Sequence, residues 1–130
     1  MDALRRVLER DDRIAYALLF GSTARGTTHA WSDVDVAIGV SRDASLDTRE
    51  IGALVADLEQ AARREIDLVL LHEAPPALAF RVFREGHVIV ERDHAAMVDR
   101  KARAILQYLD FRPLEQLAVR GALAAASRGR

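Results

Sequence analysis

Apolar and charged positions alternate along this chain at a period that changes from segment to segment. Leu4, Val7 and Leu8 recur at helical spacing with Arg5, Arg6, Glu9 and Arg10 between them, so residues from about 2 to 11 read as a short amphipathic helix. Ile14-Ala-Tyr-Ala-Leu-Leu-Phe20 is an apolar run closed by Gly21, the pattern of a buried strand followed by a turn. Ser22 can cap a brief helix that Gly26 and the neighbouring threonines stop early. From Ser32 to Val40 the period is two: Val34, Val36, Ile38 and Val40 share one face, and Asp33, Asp35, Ala37 and Gly39 share the other. The first face is core, while the second, with two acids and two small residues, leaves space above the sheet.

A helical stripe returns between Leu46 and Arg64, with Ser45 or Asp47 as its cap and Ile51, Leu54, Val55, Leu58 and Ala62 on one side. Ile66-Asp-Leu-Val-Leu-Leu71 is a third strand in which Asp67 is the only charge. Pro75 and Pro76 open a helix through about Glu85, Gly86 stops it, and His87-Val-Ile-Val-Glu91 is a last strand. A long helical pattern from Ala95 to Leu109 is interrupted at Pro113 and resumes from Leu114 to Ala126. The expected order is α-β-α-β-α-β-α-β-α in one domain spanning residues 1–130, with a C-terminal helical segment from about residue 95. Its class is α/β or α+β: a small mixed sheet, helices mainly on one face, and the acids on the other.

Composition narrows the possible functions. Lys and Arg number 19 against 20 Asp and Glu, which leaves no basic footprint for a nucleic-acid duplex. The absence of cysteine removes thiolate zinc sites and cysteine nucleophiles, and fits a reducing compartment. No apolar run reaches the roughly 20 residues of a membrane span, and the charged N-terminal segment lacks the apolar core of a signal peptide. A cytoplasmic protein without membrane contact is expected.

The chemistry-bearing residues converge on one site. Aspartates two apart on a strand project to the same side, so Asp33 and Asp35 can share cations, and Asp67 from a neighbouring strand could complete the cluster. Crowded carboxylates repel, and magnesium relieves that repulsion while borrowing phosphate oxygens for its remaining ligands. Gly21 lets backbone approach a phosphate, Ser22 and the following N–H groups can donate to it, and Arg25 could neutralise it. Two ions about 4 Å apart would activate a hydroxyl and support in-line displacement at phosphorus, which is phosphoryl or nucleotidyl transfer.

Gly21-Ser22, ten intervening residues and Asp33-Val34-Asp35 match the signature of the polymerase-beta-like nucleotidyltransferases, with Asp67 where their third carboxylate falls. Four such fixed positions match by chance on the order of once in 10⁵ starting points. The strings Gly21-Ser-Thr-Ala-Arg-Gly26 and Ser32-Asp-Val-Asp-Val-Ala37 closely resemble the minimal nucleotidyltransferases, or MNT domains. The resemblance continues through Ile66–Leu71, Arg84–Val90 and Tyr108-Leu-Asp-Phe111. It implies the polymerase-beta-like fold, two Mg²⁺ ions held by Asp33 and Asp35, one of them shared by Asp67, and a triphosphate gripped by Gly21 and Ser22. It further implies a protein adenylyltransferase antitoxin that moves AMP from ATP to a tyrosine of a HEPN-domain ribonuclease toxin and thereby silences it. A small-molecule or RNA-end nucleotidyltransferase, and non-catalytic masking of a toxin, are the alternatives.

Each residue also has a plainer reading. Asp67 could pair with Arg63 or Arg64, Arg25 could bridge to a neighbouring acid, and Trp31 could be packing instead of stacking on a base. Tyr16 and Tyr108 fit packing better than self-modification, and the four histidines are too scattered to form a metal site.

Overall fold

A computed structural model describes residues 2–21 and 33–126, and side chains through residue 110. Its elements in chain order are α1 (Asp2–Glu9), β1 (Ile14–Phe20), β2 (Val34–Val40), α2 (Thr48–Ala62), β3 (Ile66–Leu70), α3 (Pro76–Glu85), β4 (His87–Glu91) and α4 (His94–Ala126). The short helix expected after Ser22 lies outside the described residues.

The four strands form one mixed sheet in the order β3-β2-β1-β4. β1 is antiparallel to both of its neighbours, whereas β2 and β3 are parallel. Parallel neighbours require a crossover, which α2 supplies between them. The start of α2 is fixed by a reciprocal capping box in which Asp47 accepts from the Glu50 N–H and Glu50 accepts from the Asp47 N–H. Of the two caps the sequence offers, Asp47 is the one used.

All seven residues of β1 are buried, so both faces of the sheet must be covered at its centre. On one face Leu4, Val7 and Leu8 of α1 join Leu54 and Leu58 of α2 over Val34, Val36 and Ile38. On the other, Ala79, Val82 and Phe83 of α3 join Met97 and Ala104 of α4 over Ala15, Tyr16, Leu18, Phe20 and Ala37. A register shift between Ile14 and Tyr16 accompanies the placement of the successive residues Ala15 and Tyr16 in this second cluster. The fold class is the one expected, but the helices divide between the two faces instead of lying mainly on one. The uninterrupted apolar run of β1 is the physical cause, since a strand apolar on both sides needs cover on both.

A second difference concerns Pro113. The helix expected to break there runs unbroken from His94 to Ala126. Proline removes one i→i−4 hydrogen bond, and the long helical runs on both sides outweigh that single loss. No helix among the described residues is long and apolar enough to cross a membrane.

Coverage of the second face is uneven, and this positions the site. α3 starts just after Leu71, at one end of the sheet, where Ala74 N–H donates to the Leu71 carbonyl. Its C-terminal Gly86 lies against β1 further along, where an added Cβ would meet the Leu19 carbonyl at 3.1 Å and the Leu18 Cβ at 3.3 Å. α4 is tied to the Leu71 end, because Arg100 donates from Nε and Nη2 to the Leu71 carbonyl at 3.2 and 2.9 Å. The opposite end, where β1 finishes and β2 and β3 begin, carries Asp33 and Asp67 in exposed positions and Asp35 partly buried.

Candidate active site

Strand register brings the acids together. Phe20, the last residue of β1, pairs with Asp35 on β2, and Asp35 pairs with Asp67 on β3. Paired residues in register project to the same side, so Asp35 and Asp67 emerge side by side on the face that also holds α3 and α4.

The turn after β1 is built around this pair. Gly21 has φ +72°, in the left-handed region, and a Cβ placed on it would lie 2.2 Å from Oδ2 of Asp35. Glycine is therefore required twice over, by backbone conformation and by the carboxylate that occupies the space a side chain would need. Gly21 and Asp35 form one packed unit, although 13 residues separate them in the chain.

Burial raises the Asp35 carboxyl above its ordinary value, and the negative charges of Asp67 and Asp33 raise it further. The Arg81 guanidinium opposes this, while a side-chain hydrogen bond between Asp35 and Asp67 acts in the raising direction. Three carboxylates thus bear on one point, and their mutual repulsion is a feature that a hard cation would relieve. No group of three His, Cys, Asp or Glu side chains placed to hold an ion is present among the described residues. The donor chemistry, all oxygen and all acidic, is of the kind that a hard divalent cation takes.

Ser22, Arg25 and Trp31 lie outside the described residues. Among the described residues Asp67 forms no ion pair with Arg63 or Arg64, so the plainer reading of this acid is not realised. As a residue of the edge strand β3 it is solvent-exposed.

Part of the open space expected above β2 is filled by the protein itself. Gly39 pairs with Tyr16, and a Cβ on Gly39 would come within 2.1 Å of the Tyr16 ring. Tyr16 is buried, and Tyr108 stacks on Phe80 with centroids 4.3 Å apart and planes 6° from parallel. Both tyrosines are packing residues. The small residues of β2 thus serve two ends: Gly39 and Ala37 admit the core, and only the Asp33–Asp35 end faces solvent.

An open cleft of about 940 Å³ lies on the other side of the molecule, between α1 and α2. Its Arg13 is already engaged by Asp11, at 2.8 Å, and by Glu50, and the cleft has no part in the acidic site.

The sequence reading missed Arg81, which bears on Asp35 only because α3 docks on this face. One arginine on an amphipathic helix carries no signal of its own.

The family model described as "Polymerase beta, Nucleotidyltransferase" matches residues 2–95, well over half the chain. The chain belongs to the polymerase beta nucleotidyltransferase family. Solved structures agree with this assignment at the level of fold. One chain of a crystal structure of a toxin–antitoxin with AMP-PNP superposes with a TM-score of 0.80 at 23% identity, covering 94% of this nucleotidyltransferase and 97% of that chain. A chain of an MntA–HepT toxin–antitoxin structure gives a TM-score of 0.73 at 19% identity, covering 95% and 99%. A third match, TM-score 0.74 at 20% identity with 94% of each chain covered, comes from a tri-AMPylated Shewanella oneidensis HEPN toxin in complex with an MNT antitoxin. None of the curated proteins matches this nucleotidyltransferase significantly.

Proposed function

We propose that this nucleotidyltransferase is an antitoxin that transfers AMP from MgATP to a tyrosine of a HEPN-domain toxin. The observation that carries the reading is the joining of Gly21, Asp35 and Asp67 at one open end of the sheet, a turn able to admit phosphate against a cluster of acids. Its fold relatives include chains from toxin–antitoxin complexes, one with AMP-PNP and one with an AMPylated toxin, which supports ATP as donor and a HEPN protein as acceptor. A protein acceptor is also supported by the aliphatic side chains Val98, Leu106 and Leu109, which α4 leaves 47%, 60% and 48% exposed.

Asp33, Asp35 and Asp67 would hold two magnesium ions. When bound, these supply charge neutralisation at the phosphates and a lowered pKa for the attacking hydroxyl. The remaining work falls to the chain itself. Gly21 brings backbone close to the triphosphate, and Ser22 and Arg25, which follow it in sequence, donate to its oxygens. Asp67, exposed at the sheet edge, takes the proton of the incoming tyrosine hydroxyl in this reading. The tyrosine oxygen bonds to the α-phosphorus, the bond to the β-phosphate oxygen breaks, and pyrophosphate leaves.

The test is the intact mass of a HEPN toxin after incubation with MgATP and either this protein or its Asp33→Asn/Asp35→Asn variant. One or more AMP increments with the wild type alone are expected, together with loss of toxin ribonuclease activity. A toxin silenced by the variant with no mass change would instead establish inhibition by contact.

A further inference from the structure

We propose that Arg81 is a ligand of the nucleotide's phosphates, gripping the triphosphate from the helix side of the acidic site while the Gly21 turn holds it from the strand side. This rests on the nucleotidyltransferase reading above and adds a residue that lies outside the Gly-Ser turn and the three acids.

The placement of α3 argues for it independently of any charge effect. Leu78 and Val69 both pack into the second-face cluster. Val69 and Asp67 are two residues apart on β3 and so share a face, as Ala37 and Asp35 do on β2. From Val69 to Asp67 is a step of about 6.6 Å along the strand. From Leu78 to Arg81 is nearly one helical turn, about 4.5 Å along the axis. α3 advances from the Leu71 end toward the end of β1, so both steps lead in the same direction, toward the acids. Arg81 is accordingly carried toward the acids, nearly one turn beyond the point where Leu78 anchors its helix to the sheet. Its positive charge is felt at Asp35.

Arg81 is exposed and has no hydrogen-bond or ion-pair partner among the described residues. Its neighbours contrast with it: Arg84 is held by Glu85 at 3.0 Å and lies over the Phe80 ring at 5.8 Å. A guanidinium whose charge reaches Asp35, and which forms no ion pair among the described residues, is poised for a partner that arrives with the substrate. Arginine presents planar donors that match phosphate oxygens, and such charge-assisted bonds are among the stronger ones available to a binding site.

The experiment measures binding of AMP-PNP and of AMP, each with magnesium, by titration calorimetry for the wild type, Arg81→Ala and Arg81→Lys. Arg81→Ala is expected to weaken AMP-PNP binding about tenfold or more while leaving AMP binding within about twofold, because AMP lacks the outer phosphates. Arg81→Lys should recover part of the loss by restoring charge without the fork. A cooperative thermal melt of each variant confirms that folding is intact. Equal affinity of Arg81→Ala and wild type for AMP-PNP would overturn the assignment while leaving the enzyme reading intact, and so would equal weakening of AMP and AMP-PNP. Failure of the wild type to bind AMP-PNP at all would overturn the nucleotidyltransferase reading, and this inference with it.

Discussion

Replacing Gly21 by alanine perturbs the site through a single methyl group, and the structure separates its two effects. The first is conformational. At φ +72° an L-residue sits in the left-handed region, which costs about 1–2 kcal/mol for a residue with a Cβ. The second is steric, because the new Cβ would lie 2.2 Å from Oδ2 of Asp35 and 3.1 Å from its Cγ. A short carboxylate can rotate away from a methyl group at little cost in stability. Doing so, however, removes it from its place beside Asp67. Stability should therefore fall by only the conformational amount, whereas the proposed adenylyl transfer should fall on the order of a hundredfold, as for other displacements of a reacting group by about 1 Å.

Urea unfolding followed by circular dichroism gives the first quantity, and the initial rate of AMP incorporation into a HEPN-domain toxin, the proposed acceptor, gives the second. Gly52→Ala is the matched control: it lies within α2, its Cβ would meet nothing within 4 Å, and alanine there should add up to about 1 kcal/mol of stability without affecting transfer. A Gly21→Ala variant with wild-type transfer would show that the contact between the turn and Asp35 has no bearing on the chemistry. Transfer lost only in proportion to unfolded protein would refute the separation of the two effects.

Three further outcomes follow from the same geometry. Asp35 is raised above its unfolded value of 3.8 by burial and by the neighbouring acids, so stability falls as pH rises through the window from 3.8 to the higher folded value. Metal-free Asp35→Asn should therefore melt above the wild type at pH 7, converge with it below the unfolded value, and transfer no AMP; a lower melting temperature at pH 7 would contradict the argument. Asp11 is lowered, chiefly by its hydrogen bond from Arg13, so its contribution is present above 3.8 and lost as pH falls through the depressed folded value. Asp11→Asn should destabilise at neutral pH, with the difference closing in acid, as thermal melts across a pH series would reveal. Gly39→Ala forces a Cβ to within 2.1 Å of the Tyr16 ring, and overpacking of this kind should cost about 1–3 kcal/mol in urea unfolding.

Local pattern carried most of the element assignment. The period-two run of β2 and the apolar run of β1 each have one physical solution, and their observed limits, Val34–Val40 and Ile14–Phe20, follow the pattern closely. The spacing of Gly21 from Asp33 and Asp35 was legible because a phosphate turn and an acid pair must lie within a strand's reach of each other. The pairing of Asp35 with Asp67 was not determined by spacing, since it depends on β2 and β3 being parallel and in that register. Arg81 was illegible for the same reason: its relation to the acids arises from the docking of α3, a tertiary fact. Gly39 resembled a vacancy for ligand because a glycine in a strand has the same appearance whether a substrate or a tyrosine fills the space above it.

The division of helices between the faces bears on how such a small protein keeps an acidic site folded. The first face is closed by α1 and α2 and locked at its margin by Arg13, which holds Asp11 and Glu50, the residue that also caps α2. On the second face α3 and α4 cover β1 and the Leu71 end, and the edge at Asp33, Asp35 and Asp67 is left to solvent. Repulsion among those acids weakens the metal-free protein, and the same repulsion favours cations that arrive with a nucleotide. Because Arg81 belongs to a helix that Ala79, Val82 and Phe83 anchor to the sheet, it can offset the acids before substrate binds and turn to the phosphates afterwards without any rearrangement of the fold. An Arg81→Glu exchange reverses that charge and should therefore do more than remove a ligand. It should depress the melting temperature of the metal-free protein below that of Arg81→Ala and raise the magnesium concentration needed for half-maximal transfer. Identical behaviour of the two variants would mean that Arg81 and the acids do not share a field.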